Sequence, residues 1–361
     1  MKIGLFGGSF DPIHKGHIAL AKKAIETLSL DSFWFIPAKN NPWKENKIAD
    51  DEDRIKMIEI AIKNLNKVKV SRIELDSNDK KNYTIDTIKK LLVLYPDNKY
   101  FYLIGMDQVC AFNYWKSAEQ FPSLVQLVAF NRGGYPKKHP NLDKYHFIKI
   151  ENILILASST EAREGNLEIL DQEVLRYISS HGLYLDTMIE KRMKKKRYEH
   201  SLSVAALTKE FALFNHVDPL KGYIAGILHD VAKEMDMDLA REMMKAYYPN
   251  HLHTSPAIWH QWLSSYIAKY EFLIDDQEIL KAIEDHTTAS CDMSVLGKCL
   301  YCADKLDPLR GYDSSKQIEI CKKDIHEGFR NALIEFYDFS KKKNRKIDSI
   351  FFDVYNKYVK E

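Results

Sequence analysis

The sequence predicts two domains in series, an α/β domain on a parallel sheet over residues 1–186 and an all-α bundle over residues 187–361. Three observations predict it. At 361 residues the chain is long for one core and comfortable for two. Up to about residue 186 the β-rich runs KIGLF, SFWFIPA, VKVSRIEL, KYFYLIG, LVQLVAF and FIKIENILILA alternate with amphipathic stretches, the rhythm of strands joined by crossover helices. Beyond residue 187 strand-like runs nearly vanish, and SLSVAALTKEFALF, LKGYIAGILHDVAKEM and DQEILKAIEDHT repeat apolar residues at helical spacing.

Charge excludes some partners. With 53 basic against 51 acidic side chains, no overall field points to nucleic acid or to an anionic membrane. No apolar run approaches the roughly 18 residues of a membrane span, and Met1 runs straight into a short apolar stretch and a glycine turn, unlike a secretory signal. A cytoplasmic enzyme of small molecules is expected, and the composition leaves a homo-oligomer open. The cysteines 110, 291, 299, 302 and 321 are then expected as reduced thiols, with Cys299 and Cys302 in the core because their CxxC lacks the second ligand pair of a zinc site. The basic run Lys191, Arg192, Lys194, Lys195, Lys196 and Arg197 is expected to be a solvated helix face.

Chemistry begins where the first strand ends, in GGSFDPIHKGH. Gly7 and Gly8 let the backbone turn tightly and approach a phosphate, and the helix opening near Gly16 and His17 offers unpaired N–H groups with about half a positive charge. His14 and His17 lie three apart, on one face if both sit in the opening turn, where imidazoles can donate to α-phosphate oxygens as these gain charge. A second helix start follows the strand ILILA. There Ser158, Ser159 and Thr160 form an N-cap sequence, and Arg163 adds a planar fork suited to phosphate. Open α/β sheets bind ligands beyond the carboxyl ends of their strands, so two such helix starts bracket a triphosphate.

These motifs resemble the HxGH nucleotidyltransferase superfamily, and within it the nicotinate-nucleotide adenylyltransferases. The resemblance implies a Rossmann-like sheet and adenylyl transfer from ATP to nicotinate mononucleotide, with Mg²⁺ on the ATP. It implies catalytic roles for His14, His17 and Arg163, and ATP or substrate contacts from Gly7, Gly8, Ser9 and Phe10. IPAKNNPWKE is similar to the family's Pro-rich loop, with Lys44 as a substrate contact; Trp43 stands where the family commonly has histidine and is expected to stack on a ring or pack against Phe33 or Trp34. Asp53, Arg54 and Met57 resemble the helix that follows. NYTIDT places Tyr83 and Thr84 near the nicotinate ring, and IGMDQVCAFNYW supplies Gly105, Asp107 and Trp115. ASSTEAR resembles the closing motif that sets Ser158, Ser159, Thr160 and Arg163 around the β- and γ-phosphates. Other HxGH enzymes, such as pantetheine-phosphate adenylyltransferases and cytidylyltransferases, are disfavoured by NYTIDT and by the run from Asp107 to Trp115.

In the helical half, His200, His229, Asp230, His260, His286 and Asp304 follow the order H…HD…H…H…D, with large gaps about one helical hairpin long. A bundle can deliver such side chains to one interior point. Nitrogen and carboxylate donors without thiolate suit iron, manganese or zinc, and six of them can hold two ions with Asp230 as the bridge. An unpaired carboxylate within AGILHDVA would be costly, and a metal would offset that cost. RYEHSLSVA, GILHDVAKE, WHQW, AIEDHTT and YCADKLDPLR resemble an HD-domain phosphohydrolase, most closely the bacterial subgroup that splits diadenosine tetraphosphate into two ADP. That resemblance implies Asp230 as a catalytic residue, the six side chains as metal ligands, and Lys233 and Arg310 as phosphate contacts. Gln261 replaces the glycine that usually follows the third histidine, which makes His253 a rival to His260. The alternatives are another nucleotide phosphohydrolase, or a non-catalytic nucleotide sensor that regulates the transferase.

Overall fold

The computed structural model describes residues 1–39, 49–78, 82–344, 347 and 349–360. The chain packs as two compact units, residues 1–174 and 175–361.

The first unit runs β1 (Lys2–Gly8), α1 (Lys15–Leu28), β2 (Ser32–Pro37), α2 (Asp51–Ile62), β3 (Val68–Val70), α3 (Thr84–Leu94), β4 (Lys99–Gly105), α4 (Met106–Ala111), α5 (Phe121–Leu124), β5 (Gln126–Arg132), α6 (Pro140–Lys144), β6 (Ile148–Ile155) and α7 (Ser159–Arg163), and ends within α8 (Gln172–Ser180). The strands form a parallel sheet in the order β3-β2-β1-β4-β5-β6. The strands are buried from both sides, so they read as continuous apolar runs rather than alternating ones. Ile85, Ile88 and Leu91 of α3 cover one face over Ile3, Leu5 and Ile104. After β1 the chain winds outward through β2 and β3, then returns to the other side of β1 with β4. Beyond the carboxyl ends of β1 and β4 lies the crevice where such sheets take ligands.

VKVSRIEL is strand for only Val68–Val70. From Arg72 onward the backbone turns, with Asp76 N–H donating to Arg72 O at 2.9 Å and the Arg72 side chain pairing with Glu52 at 2.7 Å. An edge strand has one neighbour to pair with, so local turn bonds take over where that pairing stops.

The second unit contains α9 (Leu185–Glu190), α10 (Lys195–Phe214), α11 (Pro219–Leu228), α12 (Met237–Tyr247), α13 (His260–Tyr270), α14 (Gln277–Asp285), α15 (Val295–Leu306), α16 (Ser315–Lys323), α17 (Ile325–Lys342) and α18 (Ser349–Tyr355), with no strand among its described residues. Sequence texture changes at residue 186, whereas packing divides the chain between Val174 and Leu175. The intervening stretch belongs with the bundle because α9 packs on α10 and α11, and a Cβ on Gly182 would stand 3.0 Å from Leu220 and 3.1 Å from Tyr223. Helices α10 and α11 approach closely at two glycines. A Cβ on Gly226 would lie 2.5 Å from Ala205 Cα, and one on Gly222 would lie 2.8 Å from the Thr208 carbonyl oxygen.

Cys299, Cys302 and Cys321 are buried in this unit, and all five thiols are unbridged. No helix among the described residues is long and apolar enough to cross a membrane. The basic run departs from a solvated face at two positions. Arg192 pairs with Glu271 at 2.6 Å and lies 4.9 Å over the Phe272 ring, and Arg197 reaches inward to Asp230. Arg197 precedes His200 by one helical turn, so it shares the inward face of α10.

Candidate active sites

In the first unit, β1 delivers Gly7 and Gly8 to the crevice, where a Cβ on Gly7 would fall 2.8 Å from the Tyr102 hydroxyl. His14 is the N-cap of α1, and its backbone N–H donates to His17 Nδ1 at 3.2 Å, which leaves the His17 proton on Nε2. The two rings stack at 3.6 Å, so the expected shared face exists. Burial, reinforced by Arg132 and opposed by Glu161, pushes His14 down to about 4. Its imidazole is therefore neutral at pH 7, and its Nδ1 is buried without a hydrogen-bond partner. Phe10 is buried, and its ring meets the edge of His17 at 5.1 Å, so it fixes that imidazole by packing.

The second helix start faces this turn. Ser158 caps α7, its Oγ accepting from Glu161 N–H at 3.2 Å while its own N–H donates to the Glu161 carboxylate at 2.8 Å. Ser159 Oγ donates to the Pro12 carbonyl at 2.9 Å. Arg163 is engaged within the two motifs: Nη1 donates to the Asp11 carbonyl and Nη2 to Thr160 Oγ1 at 3.4 Å. Helical side chains lean toward the N-terminus, and on a one-turn helix that direction carries Arg163 back over the glycine turn. The two phosphate-cradle motifs, 147 residues apart at Pro12 and Ser159, are thus tied backbone to side chain.

A Cβ on Gly105 would crowd the Asp107 carboxylate. Asp107 pairs through Oδ2 with Arg132 at 3.0 Å, and its Oδ1 is buried without a hydrogen bond. Tyr83 precedes α3 under the Lys116 ammonium at 4.5 Å, Thr84 opens that helix, and Trp115 packs on Phe112 at 5.1 Å. Lys44 and Trp43 lie outside the described residues. Arg54 was placed on its helix by sequence but given no role. It is fully buried, donating to the carbonyls of Ser9 at 2.6 Å and Ala38 at 2.9 Å, so it braces the turns that follow β1 and β2. The available signal was an arginine on the same helix face as Met57 and Ile58.

In the second unit all six sequence-predicted side chains are buried. His229 and Asp230 do not continue α11 as the apolar run suggested. The helix closes at Leu228 with His229 as its C-cap, and the pair occupies the turn that follows. Asp230 stands at the centre. Its Oδ2 lies 3.6 Å from His229 Nε2 and 3.9 Å from His200 Nε2, while Oδ1 lies 3.4 Å from His260 Nε2 and 3.6 Å from His286 Nε2. Asp304 Oδ1 closes the first group, 3.2 Å from His200 Nε2 and 3.9 Å from His229 Nε2. The exposed His253 does not replace His260.

The donor set fits divalent metal. His229 Nε2 is buried without a hydrogen-bond partner, and its Nδ1 is used on the Gly226 carbonyl at 2.6 Å; His286 Nδ1 is likewise used on Ile283 O at 2.7 Å. Fixing the proton on Nδ1 turns the Nε2 lone pair inward. Burial pushes His229 down to about 4, so it is neutral at pH 7. Burial works to raise Asp230, but His229, His286 and His260 outweigh it and hold the carboxyl well below its usual range.

Cations surround the carboxylates. Arg197 donates to Asp230 at 2.5 Å, Lys305 to Asp304 at 2.7 Å and Arg310 to Asp304 at 2.6 Å. Lys233 Nζ stands 3.1 Å from His260, and burial lowers its pKa. Lys233 and Arg310 therefore both lie at the rim of the imidazole–carboxylate cluster. Sequence reasoning missed Arg197 as a member of this group.

A parallel sheet whose helix starts after β1 and β6 are tied together at Pro12 and Ser159 has the architecture of a nucleotidyltransferase domain, and a bundle converging on a His-Asp pair has that of an HD domain. Residues 5–165 match the cytidylyltransferase-like family, and residues 197–309 match the HD domain family. The chain is 30% identical over 345 residues to a probable nicotinate-nucleotide adenylyltransferase/Ap4A hydrolase of Mycoplasma genitalium, covering 92% of this chain and 97% of that protein. It is 28% identical over 337 residues to the protein of the same name in Mycoplasma pneumoniae, covering 91% and 97%. A probable nicotinate-nucleotide adenylyltransferase of Halalkalibacterium halodurans is 38% identical over 191 residues, 51% of this chain and 91% of that protein. The chain belongs to the family of two-domain proteins that join a nicotinate-nucleotide adenylyltransferase to an HD-domain hydrolase.

Proposed function

We propose that the first unit transfers the AMP moiety of ATP to nicotinate mononucleotide, giving deamido-NAD and pyrophosphate, and that the second hydrolyses diadenosine tetraphosphate symmetrically to two ADP. The observation that supports the transferase reading is the tie between Ser159 and Pro12, which turns both helix starts toward one crevice. In-line attack by the mononucleotide phosphate on the α-phosphorus needs no protein nucleophile, and positioning supplies about 7–11 kcal/mol of such a barrier. His14 and His17 would donate to the transferring phosphoryl oxygens. Ser158, Ser159, Thr160 and Arg163 would receive the β- and γ-phosphates, with Arg163 exchanging the Asp11 carbonyl for phosphate oxygen. Tyr83, Thr84, Gly105, Asp107 and Trp115 would hold the pyridine nucleotide. Mg²⁺, carried mainly by phosphate oxygens and water, would neutralise the triphosphate.

The hydrolase reading rests on Asp230, whose two oxygens each face a separate pair of imidazoles. His200, His229 and Asp304 would hold one ion, His260 and His286 the other, and Asp230 would bridge them. This donor set suits iron, manganese or zinc. Such ions supply hydroxide at neutral pH and clamp the phosphate under attack. Lys233, Arg197 and Arg310 would orient the polyphosphate and stabilise the leaving ADP.

The test is a product assay with ATP and either nicotinate or nicotinamide mononucleotide, followed by dinucleoside tetraphosphate at defined Mn²⁺ and Fe²⁺. Asp230→Ala is expected to abolish hydrolysis and leave adenylyl transfer intact. Dinucleotide formed only from the amidated mononucleotide would overturn the substrate assignment. Wild-type protein that binds nucleotide but cleaves no dinucleoside polyphosphate would make the second unit a sensor.

A further inference from the structure

The histidines of the HD centre are not oriented alike. His229 and His286 use Nδ1 on backbone carbonyls of their own helices, Gly226 and Ile283. His200 instead places Nδ1 against the carboxylate of Asp307, 2.6 Å from Oδ2, and Asp307 is itself 1% exposed. Asp307 follows α15, three residues beyond Asp304, where the chain leaves the helix. Its second oxygen is also engaged: Oδ1 accepts from Ser203 Oγ at 2.6 Å and from Leu309 N–H at 3.1 Å. The Leu309 amide has fixed polarity, because a backbone N–H can only donate, so it holds an acceptor oxygen at that position, and the Ser203 hydroxyl donates to the same oxygen.

We infer that Asp307 is a positioning residue that sets the tautomer of His200, keeping its proton on Nδ1 and its Nε2 lone pair free for the ion held with His229 and Asp304. This rests on the metal-centre reading above. A carboxylate behind a ligating histidine also raises ligand basicity and locks the ring, and loss of such a partner typically costs about 10–100-fold in metal affinity. The same residue reaches a second group. Arg310 N–H donates to Asp307 O at 3.0 Å, and the Arg310 guanidinium grips Asp304 through its carbonyl at 2.7 Å and its carboxylate at 2.6 Å. Asp307 thereby fixes one metal ligand and the turn that carries a phosphate-contact candidate.

The geometry gives an unusual order of severity. In Asp307→Asn the amide oxygen stays with Ser203 and Leu309, so the NH₂ group turns to His200 Nδ1. An NH₂ group donates, so it imposes the Nε2–H tautomer, which has no lone pair left for the ion. Asp307→Ala removes the partner without imposing either tautomer. The isosteric change is therefore expected to damage metal binding more than the truncation does, the reverse of what a packing role would give.

The experiment is Mn²⁺ titration of the full chain, with bound equivalents measured by elemental analysis at defined free Mn²⁺, for wild type, Asp307→Asn, Asp307→Ala and Ser203→Ala. The thermal midpoint of each metal-free protein is recorded alongside. Wild type is expected to bind two equivalents. Asp307→Asn should weaken one of them about 100-fold and Asp307→Ala about 10-fold, with Ser203→Ala closer to wild type. Asparagine at wild-type affinity, or alanine weaker than asparagine in step with a lower thermal midpoint, would overturn the tautomer role while leaving the metal centre standing. Wild type that binds no Mn²⁺ would overturn the metal centre itself, and this inference with it.

Discussion

Replacing Arg54 with methionine tests how the crevice of the first unit is braced. Arg54 is fully buried and donates to two carbonyls, Ser9 O at 2.6 Å and Ala38 O at 2.9 Å. Methionine keeps most of the side-chain length and removes every donor. Each orphaned carbonyl costs about 1–3 kcal/mol if it stays dry. The upper limit is about 6 kcal/mol for the pair, and water entering beside the loops reduces this to about 2–4 kcal/mol. The Arg54–Asp51 contact adds little, because Asp51 is about one-third exposed and regains water. For a domain of this size the loss corresponds to a fall of about 5–15 °C in the transition of the first unit. Because Ser9 lies in the phosphate turn, the KM for ATP should rise together with the loss of stability. Arg54→Lys, a single-point donor that cannot fork to both carbonyls, should fall between the two. Calorimetry of the full chain with an adenylyl-transfer assay decides it. An unchanged first-unit transition with an unchanged KM would refute the bracing role.

Two further outcomes follow from the same geometry. Gly226→Ala puts a Cβ 2.5 Å from Ala205 Cα, so α10 and α11 must separate. A cost of about 1–3 kcal/mol is expected in the second unit. Bound metal should fall as His200 leaves His229, while adenylyl transfer is retained; elemental analysis and calorimetry read both. The metal-free protein should also lose stability as pH falls from 7 toward 4. Burial holds His14 and His229 down to about 4 in the folded chain, against about 6.5 for a free imidazole, so between those values the unfolded chain binds more protons and is favoured. Each group contributes about 3 kcal/mol at full effect, nearly all of it lost once pH reaches the folded value. Asp230 and Asp304, held low, add a loss below the usual carboxylate range. Although burial opposes it, hydrogen bonds to Asp304 and Asp307 raise His200, which therefore contributes stability at low pH that is lost as pH rises through its raised value. Urea midpoints at pH 7, 6, 5 and 4.5 should fall monotonically, and a maximum near pH 5 would mean that His200 dominates.

Much of this protein is legible in one dimension because its signals are local. The strand runs and helical periods depend on burial of neighbouring residues, and GGSFDPIHKGH, ASSTEAR and the dispersed histidines carry their chemistry in residue type and spacing. Position along the chain was enough to assign His14 and His17 to one helix turn, and the order of the HD side chains was enough to expect a shared centre. What sequence could not give were the partners chosen across long separations. The Arg163 side chain, suited to phosphate by its fork, spends Nη1 on the Asp11 carbonyl 152 residues away. Arg197 reads as one cation in a basic run, yet turns inward to Asp230 because it shares the face of His200. Helix phase could place Arg54 on a buried face, but neither it nor Asp307 shows its partners locally, since the carbonyls that Arg54 braces and the imidazole that Asp307 orients become neighbours only when the elements pack. Residue type and period determine which elements form and which side chains are capable of chemistry. Hydrogen bonds and charge act over a few ångströms, so only the packed chain decides which capable side chains are spent holding the site and which face it.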